Sequence, residues 1–118
     1  MKLIFLGTGT STGIPTIGID KPVCSSSDLR DVRMRSSVLL QIDHKNILVD
    51  CSPDFRQQML KSKVSKIDAI LFTHEHSDHT AGLDDVRPIS FRHGKIPIFA
   101  HKGVITNLER RFDYLFDK

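Results

Sequence analysis

Apolar positions in this chain come in short runs broken by polar turns. Leu3-Ile4-Phe5-Leu6, Val38-Leu39-Leu40-Gln41-Ile42, Asn46-Ile47-Leu48-Val49, residues 68–72 and Ile96-Pro97-Ile98-Phe99-Ala100 have the length and β-rich content of buried strands. The second and third runs flank Asp43-His44-Lys45 and read as an antiparallel hairpin with His44 solvated at its tip. Pro97 favours an edge strand or a strand start. Two stretches carry a helical period instead. Phe55, Met59 and Leu60 form one face, with Arg56, Gln57, Gln58 and Lys61 outward. Ser52 is a suitable N-cap for that helix, Pro53 suits its first turn and Asp54 complements its dipole. Residues 103–116 place Val104, Ile105, Leu108, Phe112, Leu115 and Phe116 on a second amphipathic helix. Between them, residues 80–86 are expected to begin a short helix, with Pro88 ending it or turning the chain.

After Leu6 the pattern lapses until Arg35. This stretch holds Gly7-Thr8-Gly9-Thr10, Pro15, Pro22 and Ser25-Ser26-Ser27, and a structureless loop of that length is usually functional or else disordered. Gly7-Thr8-Gly9-Thr10-Ser11-Thr12-Gly13 has the spacing of a phosphate-binding loop. It lacks the lysine and hydroxyl that complete one, and Pro15 blocks an immediate helix, so it reads as a turn beside a site.

Composition narrows the class. The 118 residues suffice for one modest domain, and no internal repeat or linker divides them. A net charge of +3, with both signs mixed along the chain, argues weakly for an anionic partner and does not mark a nucleic-acid module. No apolar run approaches a membrane span, and the opening residues are too short for a signal peptide, so a cytoplasmic protein is expected. Cys24 and Cys51 are then expected as free thiols.

The chemistry is concentrated in Thr73-His74-Glu75-His76-Ser77-Asp78-His79-Thr80, directly after the apolar run Ala69 to Phe72. One or two histidines there would read as a solvated loop. Three imidazoles and two carboxylates are the donors that a borderline Lewis acid such as Zn²⁺ takes. In an extended segment His74 and His76 point the same way, so one metal can take both. Asp78 and His79 follow at the turn and suit a second metal, or a water between the two. Glu75 and Ser77 alternate with them and face away. Asp50 ends a neighbouring strand; it either steers a ligand histidine from behind or caps the helix at Ser52.

His74-x-His76-x-Asp78-His79 after a strand, with a preceding hairpin and Asp50, resembles the metallo-β-lactamase superfamily. The glycine loop after the first strand resembles its phosphodiesterase branch, which includes tRNase Z. Arg35-Ser36-Ser37, residues 50–56 and residues 82–88 look closer still to PhnP-like hydrolases. The resemblance implies an α+β fold, the N-terminal half of an αββα sandwich, with one mixed sheet and helices on its outer face. It implies that His74 and His76 hold a first divalent ion, Zn or Mn, that Asp78 and His79 hold a second, and that Asp78 also holds or deprotonates the attacking water. Arg35, Arg56 and Arg87 are candidate phosphate contacts.

Two departures qualify it. Relatives often carry a cysteine-rich run in the first loop, whereas here only Cys24 stands there, so a structural zinc is not expected. Complete members need about twice this length, within the size of a single domain. A third histidine for the first metal, a bridging aspartate and a last histidine for the second are missing, and His93 and His101 match neither role. The expectation is therefore a truncated domain over residues 1–118 of a metal-dependent hydrolase acting on a small or cyclic phosphate ester. The alternatives are a tRNA 3′-processing endonuclease, which would need an RNA-gripping arm not seen here, another ester or thioester hydrolase of this fold, and an inactive binding half-domain. An unmated sheet face makes self-association, a homo-oligomer, the expected state.

Overall fold

Burial alternates along each strand, and that alternation decides which face of the sheet is covered. The computed structural model describes residues 1–116; Asp117 and Lys118, the end of the expected 1–118 unit, lie outside them. Strands β1 (Lys2–Gly7), β2 (Ser37–Ile42), β3 (Lys45–Val49), β4 (Ala69–Leu71) and β5 (Ile98–Phe99) form one mixed sheet in chain order. The first two pairings are antiparallel, and the β3–β4 and β4–β5 pairings are parallel. The hairpin closes through Asp43 and His44, both at positive φ, with Ile42 opposite Lys45. Such a two-residue turn matches the twist of the strands it joins.

One face of the sheet presents Leu6, Leu39, Leu48 and Ile70. It packs against helices α1 (Phe55–Ser62) and α4 (Lys102–Arg111) through Phe55, Met59, Val104 and Leu108, with α3 (Arg87–His93) adding the half-buried Ile89. Leu39, Leu48, Ile70 and Leu108 are wholly inaccessible, and each such side chain contributes about 2 kcal/mol. The opposite face is apolar too. Register aligns Leu3 with Leu40 and Ile47 across three strands, and Phe5 with Val38, Val49, Leu71 and Phe99 across five. Phe5 is 68% exposed and Phe99 56% exposed, since no described element covers them. This is the expected α+β arrangement, one mixed sheet with helices on a single face.

Several local expectations need correction. Helix α1 starts at Phe55, with Asp54 at the N-cap position but without a side-chain cap bond. The Asp54 carboxylate is engaged elsewhere, accepting from the Arg35 amide at 2.8 Å. Ser52 is buried; its hydroxyl accepts from the Asp54 amide and donates to Oε1 of Gln58. Gln58 faces inward rather than outward, because its amide also donates to the Arg35 carbonyl at 2.9 Å. Leu60 is 60% exposed instead of facing the core. Pro88 opens a helix rather than ending one: it stands in the first turn of α3, where a missing N–H leaves no bond unmade. The expected last helix stops at Arg111, and a short 3₁₀ turn, Asp113–Leu115, follows it.

Residues 8–36 are not free of structure. Gly9 pairs with Arg35 and Ile14 with Arg33, and 3₁₀ turns form at Pro22–Cys24 and Leu29–Asp31. A Cβ at Gly7 would lie 2.0 Å from the Arg35 carbonyl, so only glycine allows this strand end to approach so closely.

Candidate metal centre

Because β1 and β3 both run antiparallel to β2, and β4 and β5 run parallel to β3, four strands point one way. Their C-terminal ends deliver the Gly7–Thr10 loop, Asp50, the Thr73–His79 loop and His101 to a single end of the sheet. Ligands of open sheets bind outside the carboxyl ends of such strands.

The three imidazoles of the loop lie against one another. The His74 ring centroid is 4.7 Å from that of His76 and 4.1 Å from that of His79. The loop turns into the four-residue helix α2 (Ser77–Thr80), which places Asp78 and His79 in its one turn, with Nε2 of His79 3.1 Å from the Asp78 carboxylate. Nδ1 of His79 lies 2.7 Å from Oδ2 of Asp50. A carboxylate accepts, so Nδ1 donates and Nε2 keeps its lone pair, the atom a metal would take, on the side of Asp78.

Asp50 sits at φ +59 and is 5% exposed, and every polar group it owns is engaged. Its amide donates to the Leu71 carbonyl, and its own carbonyl accepts from the Ser37 hydroxyl. Its two carboxylate oxygens accept from the amide and the hydroxyl of Thr73, each at 2.8 Å. The alternative of a cap for α1 is not what its side chain does. Next to it, the Cys51 amide donates to the His79 carbonyl and the Cys51 carbonyl accepts from the Gly82 amide. That packing is close enough that a Cβ on Gly82 would stand 2.0 Å from the Ser52 carbonyl. Burial, with the charges of Asp85 and Asp50, pushes the Cys51 thiol well above its ordinary value, so it is a poor thiolate donor.

The other sequence candidates stand apart from this cluster. Nε of Arg35 is 3.1 Å from Asp54 Oδ2, but out of line for a hydrogen bond, which makes the contact an ion pair only. Arg87 pairs with Asp84, which also accepts from the Tyr114 hydroxyl. Arg56 projects from the exposed side of α1. His93 is exposed at the end of α3, and His101 accepts from the Gly103 amide at the start of α4. Sequence reasoning missed Thr73, Thr80 and Arg111. Thr73 ties the loop to Asp50, and Thr80, fully buried, donates to the His76 carbonyl at 2.9 Å. A threonine beside a histidine run carries no sequence signal for such a role.

Imidazole nitrogen and carboxylate oxygen suit zinc or manganese, and Asp50 fixes the outward nitrogen of His79, so the donor chemistry fits a divalent ion. Among the described residues no three His, Cys, Asp or Glu side chains form a metal-holding group.

The family model described as a beta-lactamase superfamily domain matches residues 45–118, which include all four candidate donors. The chain belongs to the metallo-β-lactamase superfamily. Within that superfamily it is PhnP-like. The crystal structure of a diphosphatase from the PhnP family superposes with a TM-score of 0.92 at 50% identity, covering 97% of this chain and 46% of that one. Zinc-bound PqqB from Methylobacterium extorquens superposes at 0.78 with 26% identity, covering 96% and 42%. An octanoyltransferase of Porphyromonas gingivalis is 47% identical over 119 residues, which is all of this chain but 24% of that protein. This chain therefore spans less than half the length of each of these relatives.

Proposed function

We propose that this chain is the metal-ligand-bearing half of a phosphodiesterase that acts on a small phosphate ester or diphosphate. The observation that carries the reading is the presentation of His74, His76, Asp78 and His79 at one sheet end, with Asp50 orienting His79 from behind. His74 and His76 would hold one divalent ion, zinc or manganese, and Asp78 and His79 a second. Bound there, such ions supply Lewis-acid activation of water and neutralise charge developing on phosphoryl oxygens. Asp78 holds the attacking water and takes its proton, while Asp50 and Thr73 keep the loop fixed.

The anionic substrate class rests on the glycine loop opening at the same sheet end, with Nη1 of Arg35 beside Gly13. Of the candidate phosphate contacts Arg35 is the better placed; Arg87 would have to give up Asp84. The diphosphatase likeness favours phosphorus over a carbonyl as the target. Two free thiols, Cys24 and Cys51, support a cytoplasmic setting. The uncovered sheet face supports self-association when residues 1–118 stand alone as a unit.

The test is hydrolysis of bis-p-nitrophenyl phosphate and of a diphosphate diester by the full protein carrying this chain, with Mn²⁺ or Zn²⁺. Turnover of either that falls at least about 100-fold in Asp78→Asn supports the reading. Turnover of lactones or thioesters alone moves the chain to another branch, and cleavage confined to RNA 3′ ends moves it to RNA processing.

A further inference from the structure

Helix α4 follows β5 and carries no candidate ligand, yet its last residue reaches the histidine loop. Nη1 of Arg111 donates to the Glu75 carbonyl at 2.8 Å and to Oγ1 of Thr80 at 3.0 Å, and Nη2 lies 3.4 Å from the Ser77 hydroxyl. These acceptors flank His76 and Asp78 on both sides. Hydrogen-bond accounting shows why an arginine stands there. The Thr80 hydroxyl has one proton and lies 2.9 Å from the His76 carbonyl but 3.3 Å from the Glu75 carbonyl. That proton goes to His76, and the Glu75 carbonyl is left to Arg111. The guanidinium fork therefore closes a network in which Arg111 serves Thr80 and Glu75 while Thr80 serves His76. A lysine presents its three protons from a single nitrogen and does not reproduce the two-nitrogen fork that meets Glu75 and Ser77. The guanidinium is itself held, with its central carbon 5.2 Å from the Phe112 ring centroid and Nη1 3.5 Å from Oδ1 of Asn107.

The loop is thus gripped from two sides. Asp50 and Cys51 hold it from the β3 side through Thr73 and His79. Arg111 holds it from α4, from which nothing in the histidine motif itself predicts a contribution. We propose that Arg111 is a positioning residue, whose guanidinium locks residues 75–80 so that His76 and Asp78 present their donor atoms in metal-binding geometry. The proposal rests on the metal-centre reading but not on the phosphodiesterase reading.

The experiment compares the unaltered protein with Arg111→Met and Arg111→Lys by Zn²⁺ titration against a chromophoric chelator and by amide hydrogen exchange. Zinc affinity should fall at least about 10-fold in Arg111→Met, the scale of outer-sphere contributions to metal sites, and Arg111→Lys should recover only part of it. Exchange at the amides of residues 75–80 should accelerate at least about 10-fold, while the β2–β3 amides stay unchanged as the control for folding. Unchanged affinity and unchanged loop exchange in Arg111→Met overturn the proposal, as does full recovery with lysine. If Arg111→Met loses protection in β2–β3 as well, it is unfolded, and Arg111→Lys decides on the same two readouts. A loss of zinc affinity in a protein that turns over no phosphodiester upholds this role and rejects only the proposed substrate class.

Discussion

Asp50 and His79 are joined by one short hydrogen bond, 2.7 Å from Oδ2 to Nδ1, across 29 positions of sequence. It fastens the end of β3 to the turn of α2, and it chooses which imidazole nitrogen faces Asp78. Asp50→Asn separates these duties. Asparagine tolerates the left-handed backbone at φ +59, but its amide nitrogen must face one of the groups that donate to the buried carboxylate, so the fold should survive with a stability loss of about 1–3 kcal/mol. The lost charge should lower zinc affinity about 10-fold or more. Circular dichroism and a zinc titration check both halves. Unaltered zinc binding would show that Asp50 only supports the chain.

Gly82→Ala should be among the most damaging single methyl additions. The new Cβ would meet backbone at 2.0 Å, the Ser52 carbonyl, and the Phe55 Cβ at 2.7 Å. Neither neighbour can step aside, because the Cys51 carbonyl already accepts from the Gly82 amide and Phe55 is 1% exposed. A loss of about 2 kcal/mol or more is expected from such overpacking, read as a lower urea midpoint. A midpoint shift worth less than about 0.5 kcal/mol would contradict this contact.

Side-chain truncations on the two sheet faces should behave oppositely. Leu48→Ala, within the covered face, should cost about 2–5 kcal/mol. The double change Phe5→Ser and Phe99→Ser removes two large exposed rings and should cost little stability while reducing self-association. Sedimentation velocity across a concentration series is the measurement. Equal association before and after the change would rule out this face as the contact.

Acid should weaken the junction before β4. Lys66 and the Asn46 amide, then Lys45, hold the Asp68 carboxyl down to about 2. A carboxyl held below its unfolded value stabilises the fold above about pH 4, and that contribution fades as pH falls towards 2. Both lysines are largely solvated, so it amounts to about 1 kcal/mol at most. Asp68→Asn should flatten the stability profile across that window and leave its alkaline side unchanged. An unchanged acid limb would contradict the assignment.

Much of this was legible because the signals were local. The hairpin announced itself through two β-rich runs flanking Asp43-His44-Lys45, and the histidine loop through four donors within six positions. What failed depended on distant partners. Gln58 turns inward for the Arg35 carbonyl, 23 positions away, and Asp54 leaves helix capping for the Arg35 amide. Pro88 misled because proline both ends helices and opens them, and only the chain path decides. Arg111 reaches back over 31 positions to Thr80, beyond any motif.

The stretch between β1 and β2 bears on the order of assembly. The β2–β3 hairpin closes two residues, and the β3–β4 pairing is bridged by a single helix, so both form cheaply. Strand β1 brings Phe5 to Val38 across residues 8–36, a longer closure that only the isolated Gly9–Arg35 and Ile14–Arg33 pairings support. The hairpin and α1 are therefore expected in the folding nucleus, with β1 arriving last. Leu39→Ala should slow refolding, whereas Leu6→Ala should chiefly speed unfolding, leaving the first strand as the part of the sheet that peels away most readily.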